Sequence, residues 1–395
     1  MKKRMSKIYI FILTLLSVMI VTGCGNSDHS KAKEYLVEEY HTTQTEAIPK
    51  VILDCDMTYL GDDAMCLSIL AQADKLGLIE LLGITITGGN NFVSYGTNAA
   101  LVQLEQIGRK DIRVYMGTDI PLNGVRDFAE QEKIVGRIDH WGALYHFDEY
   151  VEPEDYHNLG SLYERKWGYS EKKAEDISAV DFMIDQVSRY PHEVTLISVG
   201  AATNIAMACQ KDSNFASGTA GIVYMGTIVE EQGTFTPYAD FNCFYDADAY
   251  DICLKSDFPA QMVIPHDASK TAFLNKAVFD LLDAKNDTLT AAFWLENLYS
   301  QYRRNPKNKQ SCSDAIAAVC FLNPNVITGE KMLSLEVNTD VESPYYGQAT
   351  SSEENGNIQV VLAVDEELYW NFVTDLLCEM TEKSDQDYSY YVALQ

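Results

Sequence analysis

Four carboxylates stand close together near the beginning of the sequence, and their spacing suits metal-assisted chemistry. Asp54 and Asp56 end a short apolar run that is typical of a buried strand, and Asp62 and Asp63 precede an apolar-rich run that is typical of a helix. Acids crowded in this way repel one another, so either some of them hold protons or a cation lies among them. Oxygen ligands on a tight loop suit a hard ion such as Ca²⁺ or Mg²⁺.

Helix capping is the alternative explanation for these acids. Aspartates at a helix N-terminus accept backbone hydrogen bonds and complement the helix dipole. This explanation accounts for Asp62 and Asp63 but not for Asp54 and Asp56, which end the strand. The four acids together therefore favour a cation site at the carboxyl end of a strand, which is where ligands bind in open α/β sheets.

Apolar runs that alternate with helical patterns predict the fold class. Strands joined by helical crossovers lie parallel, so we expect an α/β fold with an open, mostly parallel sheet and helices on both faces. Strands are predicted near residues 51–53, 79–87, 112–115, 194–199, 220–225, 261–264, 333–337 and 358–364.

Polar residues stand at the turns that follow these strands or open the next helices. Because the carboxyl ends of parallel strands meet at one edge of the sheet, separate turns can build one pocket there. The residues in these positions, besides the four acids, are Asn90, Thr203, Asn204, Asp240, Asn242 and Asp314.

The first residues predict export. A basic start is followed by an apolar run over residues 8–21 that is too short for a comfortable membrane span, and then by Val21-Thr-Gly-Cys24. This pattern resembles a bacterial lipoprotein signal, so we expect residues 1–23 to be removed and Cys24 to be lipidated. An uncleaved anchor is the alternative. Both place the protein outside the cytoplasm, held at the bacterial cell membrane.

Composition divides the remaining chain and excludes some partners. Residues 24–48 have little to bury and predict a flexible stalk, and residues 49–395 predict a single domain. The formal net charge of −28 becomes −32 without the four basic residues of the signal, which disfavours a nucleic-acid polymer as partner. The eight cysteines beyond Cys24 form no CxxC or Cys/His cluster, so we expect no zinc site.

Residues 118–176 interrupt the alternation of strands and helices. The segment is polar and rich in tyrosine and tryptophan. An interruption of this length inside an α/β domain is typical of a lid or binding insertion, and a mobile exposed loop is the alternative.

Five separated motifs occur in order between Val51 and Val364. They are Asp54-Cys-Asp56 with Asp62-Asp63, Ile84-Thr-Ile-Thr-Gly-Gly-Asn90, Leu196-Ile-Ser-Val-Gly200-Ala-Ala-Thr203-Asn204-Ile205-Ala206, Thr236-Pro237-Tyr-Ala-Asp240-Phe241-Asn242 and Ser313-Asp314-Ala315. In this order and at these intervals they resemble the inosine-uridine-preferring nucleoside N-ribohydrolase superfamily, the nucleoside hydrolases.

The resemblance implies calcium-dependent hydrolysis of the N-glycosidic bond of a nucleoside or related ribosyl compound, and it allows a homo-oligomer. It implies that Asp56 is the general base toward a calcium-bound water and that Asp54 supports the loop. The implied calcium ligands are Asp56, Asp63, Asp314 and the backbone carbonyl of Thr203, and the implied ribose contacts are Asp62, Asn90, Asp240 and Asn242.

Departures from the family pattern leave the leaving-group acid open. Ser313 stands where many relatives have a histidine that can protonate the departing base. His140, His146, Tyr238 or an insertion residue could replace it, or a good leaving group could need no acid.

Two other functions also fit part of the sequence. One is a non-catalytic lipoprotein that binds a nucleoside or sugar through calcium. The other is a haloacid-dehalogenase-type phosphatase, with Asp54 as nucleophile, Asp56 as acid and base, and Mg²⁺ as metal.

Overall fold

A computed structural model describes residues 48–136, 138, 168–284, 288–304 and 311–378. The predicted signal, Cys24, nearly all of the stalk, and the greater part of the 118–176 insertion, with His140 and His146, lie outside the described residues. No helix within the described ranges is both long and apolar enough to cross a membrane.

The strands bear out the predicted mostly parallel sheet. Nine strands of the described residues form one sheet in the order β3-β2-β1-β4-β5-β6-β9-β7-β8. All neighbouring pairs are parallel except β7 with β9 and β7 with β8. The strands are β1 Lys50–Cys55, β2 Glu80–Ile86, β3 Val114–Met116, β4 Val194–Ser198, β5 Gly221–Met225, β6 Gln261–Ile264, β7 Ile327–Val337, β8 Ala349–Ser352 and β9 Ile358–Val364.

Helices connect most of the parallel strands, as the alternation in the sequence predicts. Among the described residues they are α1 Asp62–Lys75, α2 Val93–Gln106, α3 Phe128–Val135, α4 Ala179–Arg189, α5 Thr203–Lys211, α6 Phe215–Gly218, α7 Phe241–Tyr245, α8 Ala247–Lys255, α9 His266–Ser269, α10 Lys276–Ala284, α11 Leu289–Arg304, α12 Ser313–Leu322 and α13 Glu366–Cys378. A short 3₁₀ helix spans Pro324–Val326.

Strand β1 lies in the middle of the fold because it is apolar on both faces. Val51 and Leu53 pack into a core with α1, α2, α12 and α13, whereas Ile52 packs into a second core with α4, α5 and α8. Alternate side chains of a strand point to opposite faces, so a continuous apolar run is what a doubly covered parallel strand requires.

The order of the strands marks where a ligand should bind. The chain runs outward from β1 to β3 on one side and returns to continue from β4 on the other, so the direction of winding reverses between β1 and β4. Asp54 at the end of β1 lies in register with Thr85 of β2 and Ser198 of β4. Ligands of doubly wound sheets bind at such a reversal, beyond the carboxyl ends of the strands.

Candidate functional site

The first group of site residues comes from the turn after β1 and from α12. Helix α12 packs against α1, and this contact brings the first turns of the two helices together. Carboxylate oxygens of Asp62, Asp63 and Asp314 consequently lie within 4.8 Å of one another. Asp63 and Asp314 are buried and Asp62 is partly exposed. In the sequence Asp314 lies 251 positions after Asp63, and the fold makes these residues one acid cluster, defined here as Asp62, Asp63 and Asp314 together with Asp56.

Asn90 joins Asp56 to this cluster. Its backbone N–H donates to Asp56 Oδ2 at 2.8 Å, and its side-chain Nδ2 donates to Asp63 Oδ2 at 3.3 Å. Gly89 allows the turn after β2 to approach so closely, because a Cβ atom at this position would overlap the Asp56 carboxylate. One backbone turn thus orients two of the acids.

The acids raise one another's affinity for protons. Burial raises the pKa of Asp56 to about 7, and the charge of Asp62 adds to that increase. Burial and then the charges of Asp56 and Asp62 raise the pKa of Asp63 well above its usual range. The pKa of Asp314 is also raised well above its usual range, first by burial and then by the charges of Asp62, Asp63 and Asp56. The charge of Asp240 adds a smaller effect. The cluster is therefore unfavourable when fully charged.

A hard cation fits this arrangement. Asp56 Oδ1 and Asp63 Oδ1 are buried and receive no hydrogen bond from the described residues, so each has an oxygen available. The donors are all oxygens, which is what Ca²⁺ and Mg²⁺ prefer. Positive charge between the carboxylates would remove the repulsion that raises their pKa values.

Asp54 has a different environment from Asp56. It is fully buried, and its Oδ1 accepts hydrogen bonds from Thr85 Oγ1 at 2.6 Å and from Asn204 Nδ2 at 2.9 Å. Asn204 also donates to the carbonyl of Ile86 and accepts from the backbone N–H of Thr118. Asp54 therefore ties the ends of β1, β2 and the turn after β4 together. A carboxylate held in this way is poorly placed as the exposed nucleophile that the phosphatase alternative requires.

Thr203 begins α5, directly after the end of β4. Its Oγ1 donates to Asp246 Oδ2 at 2.8 Å. Asp246 Oδ2 also accepts the backbone N–H of Leu122 at 2.9 Å. Asp246 is buried, burial raises its pKa to about 6, and it also caps α8. Sequence reasoning did not assign Asp246 to the site; its position at the start of a predicted helix was the signal available.

Asp240 and Asn242 lie at the carboxyl ends of β4 and β5. Asp240 caps α7: Oδ1 accepts from the backbone N–H of Thr227 at 2.9 Å, and Oδ2 accepts from that of Asn242 at 3.1 Å. Asn242 Nδ2 donates to the carbonyls of Val199 at 2.9 Å and Met225 at 3.2 Å. Both side chains therefore have structural hydrogen bonds here, and their predicted contact with ribose stays a prediction.

Backbone strain is concentrated in the turns that carry these residues. Five residues other than glycine have positive φ among the described residues, and three of them lie in these turns: Leu60 (φ 64°), Ala202 (φ 57°) and Thr227 (φ 72°). Side chains of these types avoid the left-handed region. Strain of this kind persists where the surrounding structure enforces it, and it is frequent at functional sites.

Of the residues named for leaving-group activation the structure describes Tyr238, and it also describes Ser313, which stands where many relatives have the histidine. Ser313 is buried, and its Oγ lies 2.7 Å from Ser269 Oγ, which donates to it. Tyr238 is 40 % exposed and contacts the ring of Tyr345 edge to face, with 4.6 Å between ring centroids. His140 and His146 lie outside the described residues. The named residues in the described part of the site thus include acids and amides but no histidine.

Similarity to known proteins agrees with this geometry. The sequence model of the inosine-uridine preferring nucleoside hydrolase family matches residues 51–371, from β1 into α13. The chain is 28 % identical to probable uridine nucleosidase 2 of Oryza sativa subsp. japonica over 64 % of this chain and 66 % of that protein. It is 27 % identical to an inosine-uridine preferring nucleoside hydrolase of Crithidia fasciculata over 83 % of this chain and 97 % of that one.

Solved structures share the fold. The plant nucleoside hydrolase PpNRh1 superposes with a TM-score of 0.66 and 22 % sequence identity, covering 84 % of this chain and 99 % of that chain. A purine-preferring ribonucleoside hydrolase from Gardnerella vaginalis gives the same score and identity. The matched sequence range includes every residue of the acid cluster.

Proposed function

This chain belongs to the inosine-uridine preferring nucleoside hydrolase family, and we propose that it cleaves the N-glycosidic bond of a nucleoside in a calcium-dependent reaction with Asp56 as general base. The observation that carries the proposal is the buried acid cluster with two carboxylate oxygens that receive no hydrogen bond.

We assign the ion to Asp56, Asp63, Asp314 and the backbone carbonyl of Thr203. When bound there, Ca²⁺ would offset the carboxylate charges, lower the pKa of a water molecule and bind the hydroxyls of a diol. Asp246 is then a positioning residue, because its bond to the Thr203 side chain fixes the start of α5.

Asp56 has one oxygen for orientation and one for chemistry. Oδ2 accepts the Asn90 N–H, which fixes the plane of the carboxylate, and Oδ1 receives no hydrogen bond from the described residues. In the proposed reaction Oδ1 takes a proton from the water whose oxygen bonds to the anomeric carbon. The C–N bond breaks with its electron pair going to the departing base, and the ribosyl group passes through an oxocarbenium-like state.

The sugar contacts are assigned to Asp62, Asn90, Asp240 and Asn242. The carboxylates among them favour the positive charge that develops on the ribosyl ring, and fixed side chains reduce the cost of orienting the sugar. Asp62 is the most accessible of the cluster acids, so it is best placed to accept a hydroxyl.

A non-catalytic calcium-dependent nucleoside- or sugar-binding protein is the second candidate, and Ser313 is the observation that favours it. A serine hydroxyl cannot act as the acid that a histidine supplies, and this one is already bonded to Ser269. Such a protein would bind ligand when calcium is present and release no free sugar.

A released-sugar assay separates these two functions. We expect the full chain to release reducing sugar from at least one member of a panel containing inosine, guanosine, adenosine, uridine and cytidine when Ca²⁺ is present. An excess of EGTA should abolish the release, and added Ca²⁺ should restore it. Calcium-dependent binding of a nucleoside without sugar release would support the binding protein, and release that is insensitive to EGTA would contradict the metal assignment.

We also propose that the protein is a lipoprotein anchored through Cys24, exported and held at the outer face of the cell membrane. The basis is the sequence of residues 1–24. In cells fed labelled palmitate, the wild-type chain should carry label and sediment with membranes, whereas Cys24→Ser should carry none. Equal labelling of both proteins would exclude this anchor.

A further inference from the structure

A cleft lined by both polar and apolar groups lies outside the acid cluster. It has a volume of about 530 Å³ and is formed by the segment around α3 and by the loop that joins β7 to β8. This volume lies within the range of small-molecule binding sites. Its lining includes Arg126 and Gln131 together with four carboxylates, Asp127, Glu130, Asp340 and Glu342.

Arg126 is held in place with donors to spare. Its Nη2 donates to the carbonyls of Phe244 at 2.8 Å and Tyr245 at 3.1 Å, and its guanidinium carbon lies 4.6 Å from the ring centroid of Tyr346. Its Nε and Nη1 are buried and make no hydrogen bond in the described part of the chain. The protein thus fixes this group through one nitrogen and leaves the other two buried without a hydrogen bond from the described residues.

Gln131 is a second residue of the cleft whose buried polar atoms have no hydrogen-bond partner among the described residues. The residue is 4 % exposed, and neither its Oε1 nor its Nε2 has a hydrogen-bond partner among the described residues. Unpaired buried amides are rare because they lose their bonds to water without replacement. Two such side chains line the same cleft, which indicates that a polar ligand supplies their missing hydrogen bonds.

The charges around the cleft restrict the chemistry of that ligand. An anion would approach Arg126 but would meet the four carboxylates, of which Glu130 alone has a cationic partner among the described residues, Lys133. A cation would suit the carboxylates but would face the Arg126 guanidinium. A hydroxyl group donates one hydrogen bond and accepts two, so it can pair with guanidinium, amide and carboxylate groups alike without adding charge.

We propose that this cleft is a second ligand site, which binds a neutral polyhydroxylated molecule, that is, a carbohydrate. It is separate from the nucleoside site, although α7 connects the two: Asp240 caps the start of that helix, and Arg126 holds the carbonyls at its end. Five helical residues span about 7.5 Å, so the two ligands would lie close together without sharing contacts. The proposal does not depend on the hydrolytic reaction.

The test follows the side-chain amide of Gln131 by NMR in the full chain labelled with ¹⁵N. The probes are D-ribose, D-glucose, D-galactose and maltose, compared with L-alanine and inorganic phosphate. We expect at least one of the four sugars to shift the Gln131 amide signal with a dissociation constant of about 10 mM or tighter, and alanine and phosphate to leave it unchanged.

Two variants complete the test. Gln131→Leu removes the signal, which assigns it, and should weaken sugar binding tenfold or more in calorimetry, with sugar release from nucleosides and the melting temperature maintained. Gln186→Leu is the matched control, because Gln186 is partly exposed on α4, its side chain donates to Asp185, and it does not line the cleft; it should leave binding unchanged.

The proposal fails if no sugar of the panel shifts the Gln131 signal at roughly 50 mM, or if alanine or phosphate shifts it and the sugars do not. If Gln131→Leu does not fold, the wild-type shifts still decide between these outcomes.

Discussion

Replacing Asp56 with asparagine should lower kcat for nucleoside hydrolysis by about 10²–10⁴-fold, the usual contribution of a general base. The amide has the shape of the carboxylate and can still accept the Asn90 N–H, but it cannot take a proton from water. Sugar release from the preferred nucleoside at saturating Ca²⁺ measures the effect. The fold should persist, because the substitution removes a buried charge whose burial raises its pKa.

Asp54→Asn is the matched control for this experiment. It makes the same chemical change two residues earlier in the chain, at a carboxylate that accepts hydrogen bonds from Thr85 and Asn204. We expect it to keep kcat within about tenfold of the wild-type value. A variant Asp56→Asn that retains more than roughly a tenth of wild-type kcat would show that the base is elsewhere.

The acid cluster could be predicted because it depends on the order of strands and helices more than on individual side-chain contacts. Once β1 is identified as a buried parallel strand, Asp56 must lie at the edge where the other strands also end. Asp314 joins it because α12 is apolar enough to pack beneath α1, and the sequence of α12 shows that character directly. A pattern of strands and helices therefore suffices to bring distant acids together.

The roles of individual side chains could not be read in the same way. Asp240 has the same sequence context whether its oxygens bind a sugar or cap α7, and only the fold shows that Thr227 and Asn242 occupy them. The bond between Thr203 and Asp246 joins residues 43 positions apart and has no signature in either segment. Hydrogen bonds between loops depend on their relative positions, which periodicity does not encode.

Exposed strands and turns with positive φ angles were not predicted from the sequence. Strand β7 begins at Ile327, six residues before its predicted start, and its partner β8 was not predicted, because the first half of β7 and the whole of the edge strand β8 are largely exposed and lack an apolar run. The positive φ angles of Leu60 and Ala202 occur at residue types that ordinarily avoid them. Edge strands and strained turns are stabilised by tertiary contacts, so local sequence gives little sign of them.

Asp314→Asn should change the stability of the protein in opposite directions without and with calcium, because removing calcium exposes the repulsion between the carboxylates of the cluster. In the presence of EGTA, we expect this variant to melt at a higher temperature than the wild type, because it lacks a buried carboxylate opposed by Asp62 and Asp63. With Ca²⁺ at a hundredfold excess over its Kd, the wild type should gain about 2.7 kcal/mol of unfolding free energy. The variant should gain much less, since it has lost a ligand.

Asp365→Asn controls for the loss of one negative charge. Asp365 caps the start of α13 through the backbone N–H of Leu368, and asparagine caps equally well, so its calcium-dependent gain should equal that of the wild type. Differential scanning calorimetry of the three proteins, each with EGTA and with Ca²⁺, gives all six values. A wild-type melting curve that EGTA leaves unchanged, or an equal calcium gain in Asp314→Asn, would contradict a metal held by this cluster. One substitution is expected to raise the stability in EGTA and lower it in Ca²⁺ only if the carboxylates repel one another without the cation and bind it when it is present.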